Sequence, residues 1–227
     1  MDTGYATQRP VDPVTESSHR IANQLSMIVT LAQKEAAKVE RGADMVRRED
    51  VLASIKGLAS KVAAISTLHR TLAGNKWRGE LELADVLGDT LQPLKELYGD
   101  RLHVEMSIGN GCAVTSDHAS ALALAFAEIV TNAMKYAHPS GVPVEMSVVG
   151  AATRCGKIRL EISDDGVGLP EGFDPQRDSG VGMKMVRYMI DAAGGELTTT
   201  SSDLGLTLSL TLPQRRPANG RDHAAGP

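Results

Sequence analysis

The sequence predicts an α+β protein, a helical hairpin followed by an α/β sandwich in which helices cover a mixed sheet. Three observations carry this. Apolar residues in the first third recur at steps of three and four, the signature of helices with one buried stripe. After GNKWRG the pattern changes to helical segments alternating with short strand-like runs. Glycine pairs then follow a strand and open a helix, where close backbone approach to a ligand is possible.

The first helix is expected over residues 14–39, with Ile21, Leu25, Ile28, Ala32 and Val39 on one seam. A polar connection, ERGADMVRRED, separates it from a second helix carrying Val51, Ile55, Leu58, Val62, Ile65 and Leu72, closed by Gly74. Two helices alone cannot bury such stripes. The hairpin must dimerise into a four-helix bundle or dock on the rest of the chain, and the dimer is the favoured expectation.

In the second part, LELADVLGDTLQPLKELYG reads as a helix, RLHVEMSIG and CAVTS as strands, and ASALALAFAEIVTNAMKYAHP as a buried helix stopped by Pro139. VPVEMSVVG, KIRLEISDDG and LTLSLTLP read as further strands, with GMKMVRYMIDAAGG a helix between the last two. The domain boundaries follow: residues 1–13 a flexible leader, 14–75 the hairpin, 76–213 the α/β domain and 214–227 a disordered tail.

Composition narrows the function classes. With 42% hydrophobic residues in 227, the chain can build a core. A net charge of −4 and the lack of any Lys/Arg block argue against nucleic acid or an anionic membrane as the main partner. The longest apolar run, ALALAFAEIV, is interrupted by Glu128 and too short for a membrane span. Cys112 and Cys155 stand outside any CxxC or Cys/His spacing, so they read as reduced thiols of a cytoplasmic protein.

Two segments carry chemistry. In ESSHRIANQL, His19 lies off the apolar seam and shares a helix face with Glu16 and Asn23, so its imidazole projects beside a polar stripe. A packing histidine is the commoner case, but this one is placed for access. In FAEIVTNAMKYAHP, Glu128, Asn132 and Lys135 fall on one helical face. A solvated face is the simple alternative; Ala125, Ile129 and Ala133, which need burial on the same helix, favour a magnesium-nucleotide site. Asp164 then ends a strand and is followed by Gly166 and Gly168, and Gly180 and Gly182 open the next helix. Each glycine pair alone is a weak signal, and no P-loop is present.

The order of these elements resembles the N, G1 and G2 boxes of the GHKL ATPase superfamily, from residue 81 to 213. ESSHRIANQL resembles the phosphoacceptor box of the sensor histidine kinases whose motif reads His-Arg-x-x-Asn, with Glu16, His19, Arg20 and Asn23 at the matching positions. The EIVTNAMKYA form of the N box is similar to that of the same subfamily.

The resemblance implies that His19 accepts phosphate, oriented by Glu16 or Asn23, because Arg20 stands where many such kinases have an acidic base. It implies that Asn132 coordinates Mg²⁺, that Lys135 approaches the phosphates of ATP and that Asp164 recognises the adenine amino group. Gly166, Gly168, Gly180 and Gly182 would shape the nucleotide loops, and residues 169–179 would form a short ATP lid. Glu128 takes the place of a water-activating carboxylate in related ATPases. The last strand reads Gly205-Leu206-Thr207 where relatives have Gly-Thr, so an adenine contact is either missing or supplied by Thr207.

The expected activity is ATP-dependent histidine phosphorylation with onward transfer to the aspartate of a response-regulator receiver domain. Expected partners are a second copy of the chain and a separate sensor protein, with the alternative that the sequence is a fragment of a longer kinase. Two alternatives share the architecture: a histidine phosphotransferase of a phosphorelay, and a GHKL serine kinase or nucleotide-gated regulator of a transcription factor. The intact glycine boxes speak against the first and the His19 hairpin against the second.

Overall fold

The computed structural model describes residues 26, 29–30, 32–33, 36–37, 40, 48–74, 80–138 and 141–214. The chain divides into two compact units, Met1–Val46 and Arg47–Pro227. In the first, every described position is helical, as the apolar seam predicts, and the Thr30 hydroxyl donates to the Ser26 carbonyl at 2.9 Å. Glu16, His19 and Asn23 lie outside the described residues.

The second unit opens with helix α1 (Arg48–Gly74), which ends at the expected glycine. There follow β1 (Glu80–Glu82), α2 (Leu83–Tyr98), β2 (Leu102–Ile108), β3 (Ala113–Thr115) and α3 (Ser116–Tyr136). The remainder is β4 (Val144–Ala152), β5 (Lys157–Asp164), α4 (Val181–Ala192), β6 (Glu196–Ser202) and β7 (Gly205–Pro213). Five strands form one sheet in the order β2-β4-β5-β7-β6, with β2 and β4 parallel and the other pairs antiparallel. The sheet is mixed, as expected.

Alternation along the strands decides which face is covered. Val144, Met146 and Val148 of β4 are buried, as are Ile158, Leu160 and Ile162 of β5 and Leu208, Leu210 and Leu212 of β7. Their neighbours Glu145, Ser147, Arg159 and Glu161 are exposed. Against the apolar face lies α3, which buries Leu122, Phe126, Ile129 and Val130 and touches α1, α2 and α4. Thr115 starts it by accepting from the His118 backbone N–H at 3.3 Å.

Two strands escaped the sequence reading. Glu80–Glu82, of which Leu81 and Glu82 belong to the expected helix, is a short strand because it pairs antiparallel with Ala113–Thr115. Glu196–Ser202 has few apolar residues to betray it, yet its three threonines suit an extended backbone, and a two-residue turn at Asp203 and Leu204 folds it onto β7.

The apolar stripe expected on the second helix of the hairpin is divided in the structure. Ile65 is buried, whereas Ile55 and Val62 are exposed with Leu52. What α1 turns toward α3 is a set of small and polar residues, Gly57, Ser60, Lys61 and Ala64, all buried. The helix therefore docks on the α/β layer through one face and leaves an apolar seam open on another.

Candidate functional site

The site begins where β5 ends. Asp164 follows Ile162 by two residues and so lies on the helix side of the sheet. Its Oδ1 accepts hydrogen bonds from the backbone N–H of Gly166 at 3.0 Å and of Leu206 at 3.3 Å. Burial pushes the Asp164 carboxyl above the usual aspartate range, against the pull of those two N–H groups; Asp165 adds to the rise and His138 opposes it. A half-buried carboxylate with one oxygen fixed by the backbone is a directional acceptor for a ligand amine.

β7 approaches Asp164 closely because residue 205 is glycine. A Cβ there would overlap the Asp164 carbonyl oxygen, and the backbone has φ of 133°. Leu206 is on the same side as Asp164, two residues before buried Leu208. Thr207 pairs in register with Ser163 and by alternation takes the opposite face. Of the two readings of Gly205-Leu206-Thr207, this geometry favours the missing contact: Thr207 is not brought to the Asp164 carboxylate, and a leucine side chain stands in its place.

The loop after β5 is sewn to the C-terminal end of α3. Gly166 packs on Ala137 so closely that a Cβ would stand 2.5 Å from the Ala137 Cα, and the Val167 N–H donates to the Ala137 carbonyl at 3.0 Å. His138 Nε2 and the Glu145 N–H meet Asp165 Oδ1 at 2.9 and 3.0 Å. Gly168 has φ of 70° and no room for a side chain beside Ser201 and Ser202, while the Leu169 N–H donates to the Ser201 hydroxyl at 2.7 Å. Both glycines of this pair are thus required by packing.

Residues 169–179 form successive turns. Asp174 caps one end, its carboxylate accepting from the Gln176 N–H at 2.8 Å, and Asp178 accepts from the Asp174 N–H at 2.9 Å. The Arg187 guanidinium of α4 and the Ser179 hydroxyl both donate to the Pro175 carbonyl. At the start of α4, Gly180 has open space around it, but a Cβ on Gly182 would overlap Glu128 Oε1. The second glycine pair is therefore unequal: only Gly182 is held to glycine by its neighbours.

Glu128 brings α1 into the site. It is buried, and the Lys61 ammonium lies 2.6 Å from its Oε2. That oxygen has no directional hydrogen bond, so the contact is a buried charge pair. One turn on, the Thr131 hydroxyl donates to the Ala127 carbonyl at 2.7 Å and meets the Ser60 hydroxyl at 3.3 Å. Tyr98 joins this group: burial raises its phenol pKa, a hydrogen bond with Thr131 opposes that, and the Glu128 charge adds to it. A Cβ on Gly57 would stand 3.0 Å from Thr131 Cγ2 and 3.7 Å from the Lys135 ammonium. The face of α3 bearing Glu128, Thr131 and Lys135 is thus covered by α1, with Asn132 half-buried beside it.

Asp164, Gly166 and Gly168 are brought to one end of α3, and Gly182 and Glu128 to its middle. Lys61, Ser60 and Asp165 escaped the sequence reading. Lys61 sits on another helix, 67 positions before Glu128, and nothing in the local pattern pairs them. The arrangement fits a nucleotide: a desolvated carboxylate acceptor at one end, glycine-lined backbone between, and the α4 N-terminus with bare N–H groups at the other.

Comparison with known proteins agrees. Residues 16–98 match the family model described as histidine kinase, and residues 117–216 the one described as histidine kinase-, DNA gyrase B-, and HSP90-like ATPase. The chain belongs to the histidine kinases that join these two modules, and the second module implies ATP binding. Among its relatives, the sensor histidine kinase PdtaS of Mycobacterium tuberculosis is 25% identical over 79% of this chain and 34% of its own length. Blue-light-activated histidine kinase 2 of Erythrobacter litoralis is 22% identical over 88% of this chain and 56% of its own length. The chain thus spans about a third to a little over half of these relatives. The solved histidine kinase domain of a blue-light-activated kinase from Erythrobacter litoralis shares the fold, with a TM-score of 0.61 and 20% identity over 82% of this chain and 95% of that one. Among the described residues no helix is long and apolar enough to cross a membrane.

Proposed function

We propose that this chain is the catalytic core of a protein-histidine kinase. It phosphorylates His19 from ATP and passes the phosphoryl group to the aspartate of a response-regulator receiver domain. The observation that carries the reading is the Asp164 carboxylate, one oxygen fixed by the Gly166 and Leu206 N–H groups, on a loop whose Gly166 packs against Ala137 at the end of the helix of Asn132.

Each residue then has a task. Asp164 accepts from the adenine amino group; Gly166 and Gly168 let the loop approach the base, and Gly180 and Gly182 open the α4 N-terminus toward the phosphates. Asn132 offers an amide oxygen to Mg²⁺, which supplies charge neutralisation when bound. Among the described residues no cluster of three His, Cys, Asp or Glu side chains could cage a metal alone, which suits a cation held largely by substrate phosphates. Lys135, whose side chain lies beside Gly57 of α1, is the cation that meets the phosphates in this reading. The transferring group is largely dissociative, so positioning and charge stabilisation dominate.

Residues 14–75 form the dimerisation and phosphotransfer hairpin in this reading, followed by the ATP-binding domain at 76–213. Leu52, Ile55 and Val62, 49%, 57% and 45% exposed, supply an apolar seam for the hairpin and a second copy. Input comes from a sensor protein or from further sequence of a longer kinase, in the cytoplasm. The test is a pair of transfer assays with one cognate receiver. Asn132→Ala should lose labelling from ATP yet still take phosphate from the phosphorylated receiver, and His19→Ala should lose both routes. Wild-type protein labelled by the receiver but never by ATP would replace this reading with a phosphotransferase.

A further inference from the structure

Glu128 poses a chemical problem for a kinase, given the nucleotide-site reading above, on which this inference rests. One turn before Asn132, a free carboxylate could act as a base toward water. The water oxygen would bond to the γ-phosphorus, the bond from that phosphorus to the β–γ bridging oxygen would break, and the water proton would pass to Glu128, giving ADP and inorganic phosphate. Each such event removes a phosphoryl group that His19 could have accepted.

We propose that Lys61 is a positioning residue that keeps Glu128 from activating water. Its ammonium lies 2.6 Å from Oε2, and both side chains are buried. An ammonium at that distance occupies the carboxylate oxygen that would have to take the water proton. The carboxylate has little freedom to turn away, because Oε1 fills the space where Gly182 lacks a Cβ. Lys61 is likewise held in register: Ser60 meets Thr131 at 3.3 Å and Gly57 allows α1 within contact of Thr131. The pair therefore links the hairpin helix to the helix of Asn132, and it ties up the carboxylate that would otherwise be available to water.

The experiment uses the full chain in a His19→Ala background, so that phosphohistidine turnover adds nothing to the phosphate measured. Lys61→Met keeps the length of the side chain and removes the charge. It should raise phosphate release from Mg-ATP by about a hundredfold or more, the low end of what a positioned general base contributes, with ATP affinity by calorimetry retained. Lys61→Arg should stay at the level of intact Lys61, and Glu128→Gln added to Lys61→Met should abolish the gain. In nucleotide-free protein, carbodiimide modification of Glu128, read by peptide mass spectrometry, should rise in Lys61→Met. Lys61→Gln gives the same test should the methionine variant fail to fold. Unchanged phosphate release in a folded, ATP-binding neutral variant, or unchanged Glu128 modification, would overturn the proposal. Absence of ATP binding with Lys61 intact would instead overturn the nucleotide-site reading itself, and the proposal with it.

Discussion

Leu206 holds Asp164 through its backbone: its N–H donates to Oδ1 at 3.3 Å while its side chain lies on the same side of the sheet as the carboxylate. A hydroxyl at position 206 would sit where ligand and carboxylate meet. Leu206→Thr should therefore tighten ATP binding by about 0.5–1.5 kcal/mol, roughly two- to tenfold, the value of one added hydrogen bond. Thr207→Ala, on the opposite face, should leave affinity unchanged. Calorimetric titration of both variants with ATP checks this, and the reverse ranking would put Thr207 in the site.

Asp164→Asn keeps the shape but removes a charge-assisted acceptor, so ATP affinity should fall by about 1.5–3 kcal/mol, more than tenfold. Its effect on stability should have the opposite sign. Burial raises the Asp164 pKa in the folded state, so the folded chain binds this proton more tightly than the unfolded one. Stability from this group is greatest below the ordinary aspartate pKa, declines as pH rises to the raised folded value, and stays reduced above it. A neutral asparagine amide at this position carries no such penalty. Thermal unfolding without nucleotide should show Asp164→Asn melting higher than wild type at pH 7, with the gap closing as pH falls through that window. A lower melting temperature at pH 7 would contradict the assignment of burial as the dominant cause.

The two glycines of the second pair should respond differently. Gly182→Ala places a methyl on Glu128 Oε1 and forces the buried Lys61–Glu128 pair to shift, a cost of about 1–3 kcal/mol by analogy with overpacked cores. Gly180→Ala, with open space around it and φ of −63°, should cost much less. Denaturant unfolding of the nucleotide-free variants measures the difference.

How much of this was legible in the sequence depends on range. Helices and strands with one buried face announced themselves through period, and Asp164, Gly166 and Gly168 through their position after a strand. The strand at Glu196–Ser202 was hidden because threonine and serine give no apolar alternation, and it exists by pairing with β7. Lys61 was hidden for a deeper reason. On its own helix it is one more exposed-looking cation, and only the approach of α1 to α3, allowed by Gly57 and Ser60, buries it against Glu128. The same approach explains why the expected stripe of α1 divides, with Ile65 inside and Ile55 and Val62 outside.

The central claim is that this chain moves phosphate from ATP to His19. The direct measurement is incubation of the purified full chain with γ-labelled ATP and Mg²⁺, followed by acid and base treatment of the labelled protein. The account predicts a label lost in acid and stable in base, as an N–P bond requires, and no label on His19→Ala. A label that resists acid, or that His19→Ala retains in full, would contradict it.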